Sequence, residues 1–422
     1  MTEFAFAHSR SVAPQHNERL RPLQLMRRFC VGKDHVPDRA LLAALDQGYD
    51  VGDPLCDAWV AHAQTLPRQG MDLYQRALQH GIDSVVDAPQ ALVDLFVDLE
   101  REPDWLDWAQ VDRGAVTLAR YPILQSLMLQ SVSLMGGYAV PGLAQPLLET
   151  GSLAYSVLPR MARTLMFAGA VTSRYAMQKH QPGYLQAGHV RLVHTLVRHR
   201  LTHSPDWDFE QFGVPINQTD LVATNLQFSL VVLYGLRAFG SHLSPDERES
   251  VLHLWRYIGH VMGLDSDAMP ASEQACSEWL YAYLATQRMD CERARPLAQA
   301  LHELPLLLAG ARKLDQRAAR LEQQVRAGVT RWFMGQRLAD GLGLPDPRWV
   351  SPVLLGTGGS QFVLDRLRDV PPLGHWLTQS ALGYREHVKG KYMRAEPSLA
   401  PAFMALEQAI AALTGAQEGR TA

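Results

Sequence analysis

Strand-like alternation of apolar and polar residues never persists along these 422 residues, which argues against a sheet-based architecture. Cysteine is scarce. Cys30, Cys56, Cys276 and Cys291 lie far apart, with no CxxC or Cys/His spacing, so neither a disulfide framework nor a zinc site is implied. Charge of one sign is missing too: the net charge is −3 and the sequence pI about 6.6, which leaves no electrostatic footprint for nucleic acid. The N-terminal stretch has no apolar h-region, and Arg27-Arg28 is followed by no segment that could insert. The longest apolar span, Leu221 to Phe239, carries Thr224, Asn225, Gln227 and Arg237, so it reads as a buried helix and not a transmembrane one. These absences lead to the expectation of a soluble, cytoplasmic protein with free thiols. Also missing are a GxSxG elbow, HExxH, a P-loop and a dinucleotide fingerprint after a strand.

What is present is helix punctuation. Pro37-Asp38-Arg39, Asp53-Pro54 and Asp87-Ala88-Pro89 each open a helix with an acid or a proline at its first turn. Ser244-Pro245-Asp246-Glu247 forms a capping box, since Ser244 can accept from the amide of Glu247 while that carboxylate reaches back. The helix it starts should end at about Gly263, and its predecessor should run from Asn217 to near Gly240. Further helices are expected over 272–288, 292–312 and 313–327, with Pro296 and Pro305 kinking or splitting the middle one. The Gly- and Pro-rich stretch 341–359 reads as a long loop, including Gly356-Thr357-Gly358-Gly359-Ser360, which resembles a phosphate cradle only superficially. The expected fold is an all-α, multi-helix bundle. An irregular extension over 1–36 precedes a helical domain over 37–340, and 341–422 supplies a loop and C-terminal helices packed on it.

Chemistry is concentrated in two segments. Val190, Val193, His194 and Val197 recur at i, i+3, i+4, i+7, making His194 the one titratable group on an apolar stripe, while Arg191, Arg198 and Arg200 point elsewhere. Such an imidazole is a hydrogen-bonded core histidine, a packing accident, or a metal or haem ligand. Upstream, Arg160 and Thr164 share a helix face at i, i+4, with Arg163 beside Thr164 and one turn before Phe167. A guanidinium and a hydroxyl there suit an oxygen-bearing ligand; alternatively the arginine is solvated and the threonine bonds back to its own helix.

The stretch from about Gly48 to Gly263 resembles the latex-clearing protein (rubber oxygenase) branch of the mpaB-type oxygenase family. The resemblance rests on GDPLCDAWV, the PDWLDW turn, SLMGGYAVPGLAQPLLETG, RMART, HVRLVHTLVR and WDFEQFGVPINQTDL, in that order. It continues through SLVVLYGLRAFGSHLSPDE and LHLWRYIGHVMG. It implies a globin-like helical core holding haem b, with His194 as the proximal iron ligand and Arg160 and Thr164 as distal residues. Dioxygen and a lipophilic small molecule or polymer are the implied partners. Arg191 and Arg198 flank the ligand, to pair with haem propionates or to face water.

Two departures bear on mechanism. Where relatives carry a distal lysine able to coordinate iron, this chain has Arg163, whose guanidinium stays protonated and is a poor ligand, so an open sixth position or another ligand is expected. The family's catalytic glutamate falls on Ala144 by constant spacing. The nearest carboxylate is Glu149, open to a catalytic, a capping or a surface role. The function expected is a haem-b-dependent oxygenase acting on an apolar, isoprenoid-like or other alkene substrate, the alternative being a non-catalytic haem- or lipid-binding sensor or carrier on the same fold.

Overall fold

The computed structural model describes residues 5–66, 69–150, 157–368 and 370–421. Helices follow one another throughout, and among the described residues the only β feature is an isolated antiparallel bridge between Ser11 and Gln287. The local signals act as the sequence dictates. Asp38 accepts from the Ala40 amide to start Arg39–Gly48, and Asp53 accepts from the Cys56 amide to start Pro54–Ala63. Ser244 and Glu247 form the reciprocal cap of Pro245–Val261, which ends before Gly263 at φ +84°.

Three expectations are corrected. The stretch from Asn217 to Gly240 is two helices, Gln218–Phe228 and Leu230–Ala238, because Ser229 at ψ −79° breaks the run. Pro305 sits inside a continuous helix, Arg295–Leu307. The stretch expected to loop through 341–359 becomes helical from Val350, where Val350–Arg368 begins. Each interior glycine costs a helix about 1 kcal/mol, so packing must stabilise it; Val350 lies so close to Gly328 of Lys313–Met334 that a Cβ there would meet it at 2.4 Å.

The N-terminal segment also belongs to the core. Arg10 is 0 % exposed and bonds Asp220 through both terminal nitrogens at 2.8 and 2.7 Å. Gly142 makes room for it: a Cβ there would lie 2.0 Å from the guanidinium. One helical stretch, Gln218–Ala238, is long and apolar enough to cross a membrane by length and composition, and most of it is buried inside the protein.

Candidate functional site

His194 lies near the middle of Pro182–Thr202, hereafter the His194 helix, which packs against Val157–Val171, the Arg160 helix. An ordinary amphipathic helix buries its apolar face and solvates its charges. This one buries two arginines along with Tyr184, Ala187, Leu192 and Leu201. Arg191, Thr195 and Arg198 are buried, whereas Val193 and Leu196 are 39 % and 38 % exposed, and Val190, His194 and Val197 are half-buried.

The buried arginines are held by acids from the Pro54–Ala63 region. Arg191 bonds Asp53 at 2.7 and 2.9 Å, with Asp98 at 3.5 Å. Arg198 donates to Asp57 at 2.8 Å, to the Ile216 carbonyl at 3.0 Å and to Thr195 Oγ1 at 3.0 Å. Neither side chain faces water: a buried guanidinium needs a fixed anion, and Asp53 and Asp57 supply it. Sequence reasoning missed those partners, although their i, i+4 spacing inside GDPLCD was a usable signal.

On the open face, His194 Nδ1 is buried and has no hydrogen-bond partner. Burial, followed by the charge of Arg198, lowers the imidazole's pKa to about 4, against a smaller opposing pull from Asp53. It is therefore neutral at neutral pH. An unpartnered nitrogen at a buried position costs about 1–3 kcal/mol, and this one stands beside partly exposed Val193 and Leu196.

The Arg160 helix contributes differently from each position. Arg160 Nη2 donates to the Tyr138 hydroxyl at 2.5 Å, with the guanidinium 5.5 Å from that ring's centroid, while Nε is buried without a partner. Thr164 donates its hydroxyl proton to the Arg160 carbonyl at 3.1 Å and lines an apolar chamber of about 540 Å³. Arg163 is exposed and does not line this chamber; adjacent helical residues point about 100° apart, which turns it from Thr164. Glu149, at the end of Pro141–Glu149, accepts from the Gln145 side chain at 2.6 Å. Thr164 thus reaches the chamber, whereas His194, Arg160 and Glu149 do not line it. Tyr138, the partner of Arg160, was visible in the sequence only as part of SLMGGYAVPG.

No group of three or more His, Cys, Asp or Glu residues able to hold a bare metal ion occurs among the described residues. His199 and His203 instead pair with each other, their Nδ1 atoms 3.2 Å apart.

The architecture is similar to a solved structure, that of latex clearing protein LCP in the closed state. The TM-score is 0.58 at 20 % identity, over 82 % of this chain and 90 % of the other. That likeness places the chain among large all-α proteins of this helical fold. Residues 116–357 match the family described as ER-bound oxygenase mpaB/B'/Rubber oxygenase, catalytic domain, and the chain belongs to that family of oxygenases. A rubber oxygenase of Streptomyces sp. (strain K30) is 25 % identical over 320 residues, 74 % of this chain and 70 % of that protein.

Proposed function

We propose that this oxygenase uses haem b and dioxygen on an apolar substrate carrying a carbon–carbon double bond. The observation that carries the reading is the half-open apolar face around His194, with its neutral imidazole and an Nδ1 that nothing in the protein satisfies. A neutral imidazole is the form that ligates haem iron, and valine and leucine beside it suit the porphyrin's faces. His194 would hold the iron; bound haem would supply the activation of dioxygen.

The chain's own residues then have separate tasks. Arg160, steadied by Tyr138, keeps a buried donor in reserve for developing negative charge. Thr164 has its proton committed to its own helix, so its oxygen is left as an acceptor at the chamber wall. Leu165, Ala168 and Phe228 line the same chamber, excluding water and holding an apolar chain. A chamber of about 540 Å³ suits one small lipophilic molecule, and we favour that over a bulk polymer such as the rubber in the relative's name. Four unpaired cysteines support a reducing compartment, which we take to be the cytoplasm.

His194→Ala tests the assignment. The purified variant should keep its helical circular dichroism and lose the Soret band, with dioxygen uptake on unsaturated lipophilic substrates lost in parallel. A variant that stays red removes His194 from the centre of the site.

A further inference from the structure

Arg385, on the helix Pro371–Ala395, lines two hollows at once: the chamber beside Thr164 and a smaller recess of about 270 Å³. Thr172, Ser173 and Ile410 are shared in the same way, so the hollows adjoin along that wall. Their chemistry differs sharply. The chamber is mostly apolar, and its two acids, Glu386 and Glu407, are both held by Lys389. The recess is walled by four arginines, Arg120, Arg174, Arg368 and Arg385, and by no carboxylate.

The other three have partners for part of each guanidinium, although Nε of Arg120 and of Arg368 is buried without one. Arg120 pairs with Glu247 at 2.5 Å. Arg368 donates to the Arg120 carbonyl at 2.6 Å and lies 3.5 Å from Asp365. Arg174 is exposed, its guanidinium over the Tyr175 ring. Arg385 is different: it is half-buried, and among the described residues it has neither a hydrogen bond nor an ion pair. Burial alone lowers its pKa, with no neighbouring acid to oppose the shift. A guanidinium does not give up its proton inside a protein, so one at a cavity wall with no fixed anion keeps its charge free for an anion that enters the recess.

We infer that the substrate is an amphiphile whose anionic head, a carboxylate or a phosphate, sits on Arg385 in the arginine-walled recess while its unsaturated chain lies in the chamber towards Thr164. Arg120, Arg174 and Arg368 add positive potential around the head, and the shared wall of Thr172 and Ser173 marks where head gives way to chain. The inference rests on the reading of the Thr164 chamber as the place where the substrate is oxidised, but binding to it requires no turnover.

The test compares oleate, oleyl phosphate and oleyl alcohol, each below its micelle concentration, binding to the purified full chain by calorimetry. A charge-assisted contact in a partly dry site should make at least one anion about tenfold tighter than the alcohol. Whichever anion is preferred identifies the head. Arg385→Gln should abolish that preference and leave the alcohol's affinity within about twofold, and Arg385→Lys should restore part of it. Leu165→Trp, which fills the chamber, should weaken all three ligands. An alcohol that binds as tightly as both anions, a preference that survives Arg385→Gln, or anions that still bind fully to Leu165→Trp would each overturn the inference. Anion preference without dioxygen uptake would instead remove the oxidation reading and leave this site standing. Turnover of neutral alkenes with no anion preference would do the opposite.

Discussion

Arg191 and Asp53 form a buried bidentate pair, Nε to Oδ2 at 2.7 Å and Nη2 to Oδ1 at 2.9 Å, with side chains 2 % and 5 % exposed. The pair binds the His194 helix to the start of Pro54–Ala63, whose N-cap is Asp53 itself. Two turns further along, Arg198 and Asp57 repeat the link. Together they fix the rotation of the His194 helix, turning Arg191 and Arg198 inwards and the face with Val193 and Leu196 towards the open side.

Breaking that pair should be costly. Arg191→Met leaves Asp53 charged and buried with only the Cys56 amide still donating to it, and should lower unfolding free energy by about 3–5 kcal/mol in urea denaturation. Gly263 abuts the same pair at φ +84°, where an added Cβ would lie 2.2 Å from Asp53 Oδ2 and 2.6 Å from Arg191 Nε. Gly263→Ala should therefore destabilise as well, through both backbone strain and the clash. A wild-type midpoint for both variants would show that the pair does not fix the helix.

Tyr138→Phe removes the hydroxyl that accepts from Arg160. The guanidinium then loses its anchor but not its charge, so turnover should fall by about two- to tenfold, the range expected for one neutral hydrogen bond, while the haem proposed at His194 is retained. Arg160→Ala should fall further in the same assay. If Tyr138→Phe turns over like wild type, the hydroxyl does not position Arg160.

Acid should weaken the fold. His253, His260 and His302 are all held below the ordinary histidine range, burial being the first cause in each. His253 Nε2 also accepts from the Asp107 amide at 2.9 Å, which requires the unprotonated nitrogen. The unfolded chain takes up protons near pH 6.5 while the folded one resists, so stability is lost as pH falls from about 6.5 through the lowered folded values. Urea midpoints should drop between pH 7.5 and 5.5, and His253→Gln should flatten the slope. A midpoint that rises on acidification would contradict the argument.

Thiol reactivity should sort by burial. Cys56 and Cys276 are buried, and their thiols are pushed up to about 12, chiefly by that burial. Burial also raises Cys30, and Cys291 to about 11, so exposure and not protonation decides: slow alkylation of the native protein at pH 8 followed by peptide mapping should find label on Cys30 and Cys291 before Cys56 and Cys276. Label on Cys56 before unfolding would mean that this part of the core opens readily.

Much of the fold was legible in the sequence because its signals are short-range. A side chain caps an amide two or three residues away, as Asp38, Asp53 and Ser244 do, and apolar periodicity needs only one turn of context. The singular position of His194 was legible for the same reason. Which face of its helix is buried was not, since that depends on acids 138 and 141 residues away in the chain. The helix over Val350–Arg368 likewise overrides its glycines through packing that no local rule contains. The Arg160–Tyr138 bond and the unpaired Arg385 exist only once distant segments are brought together. Local hydrogen bonding thus determined where helices begin, whereas long-range packing and the need to neutralise buried charge decided which side chains face the site.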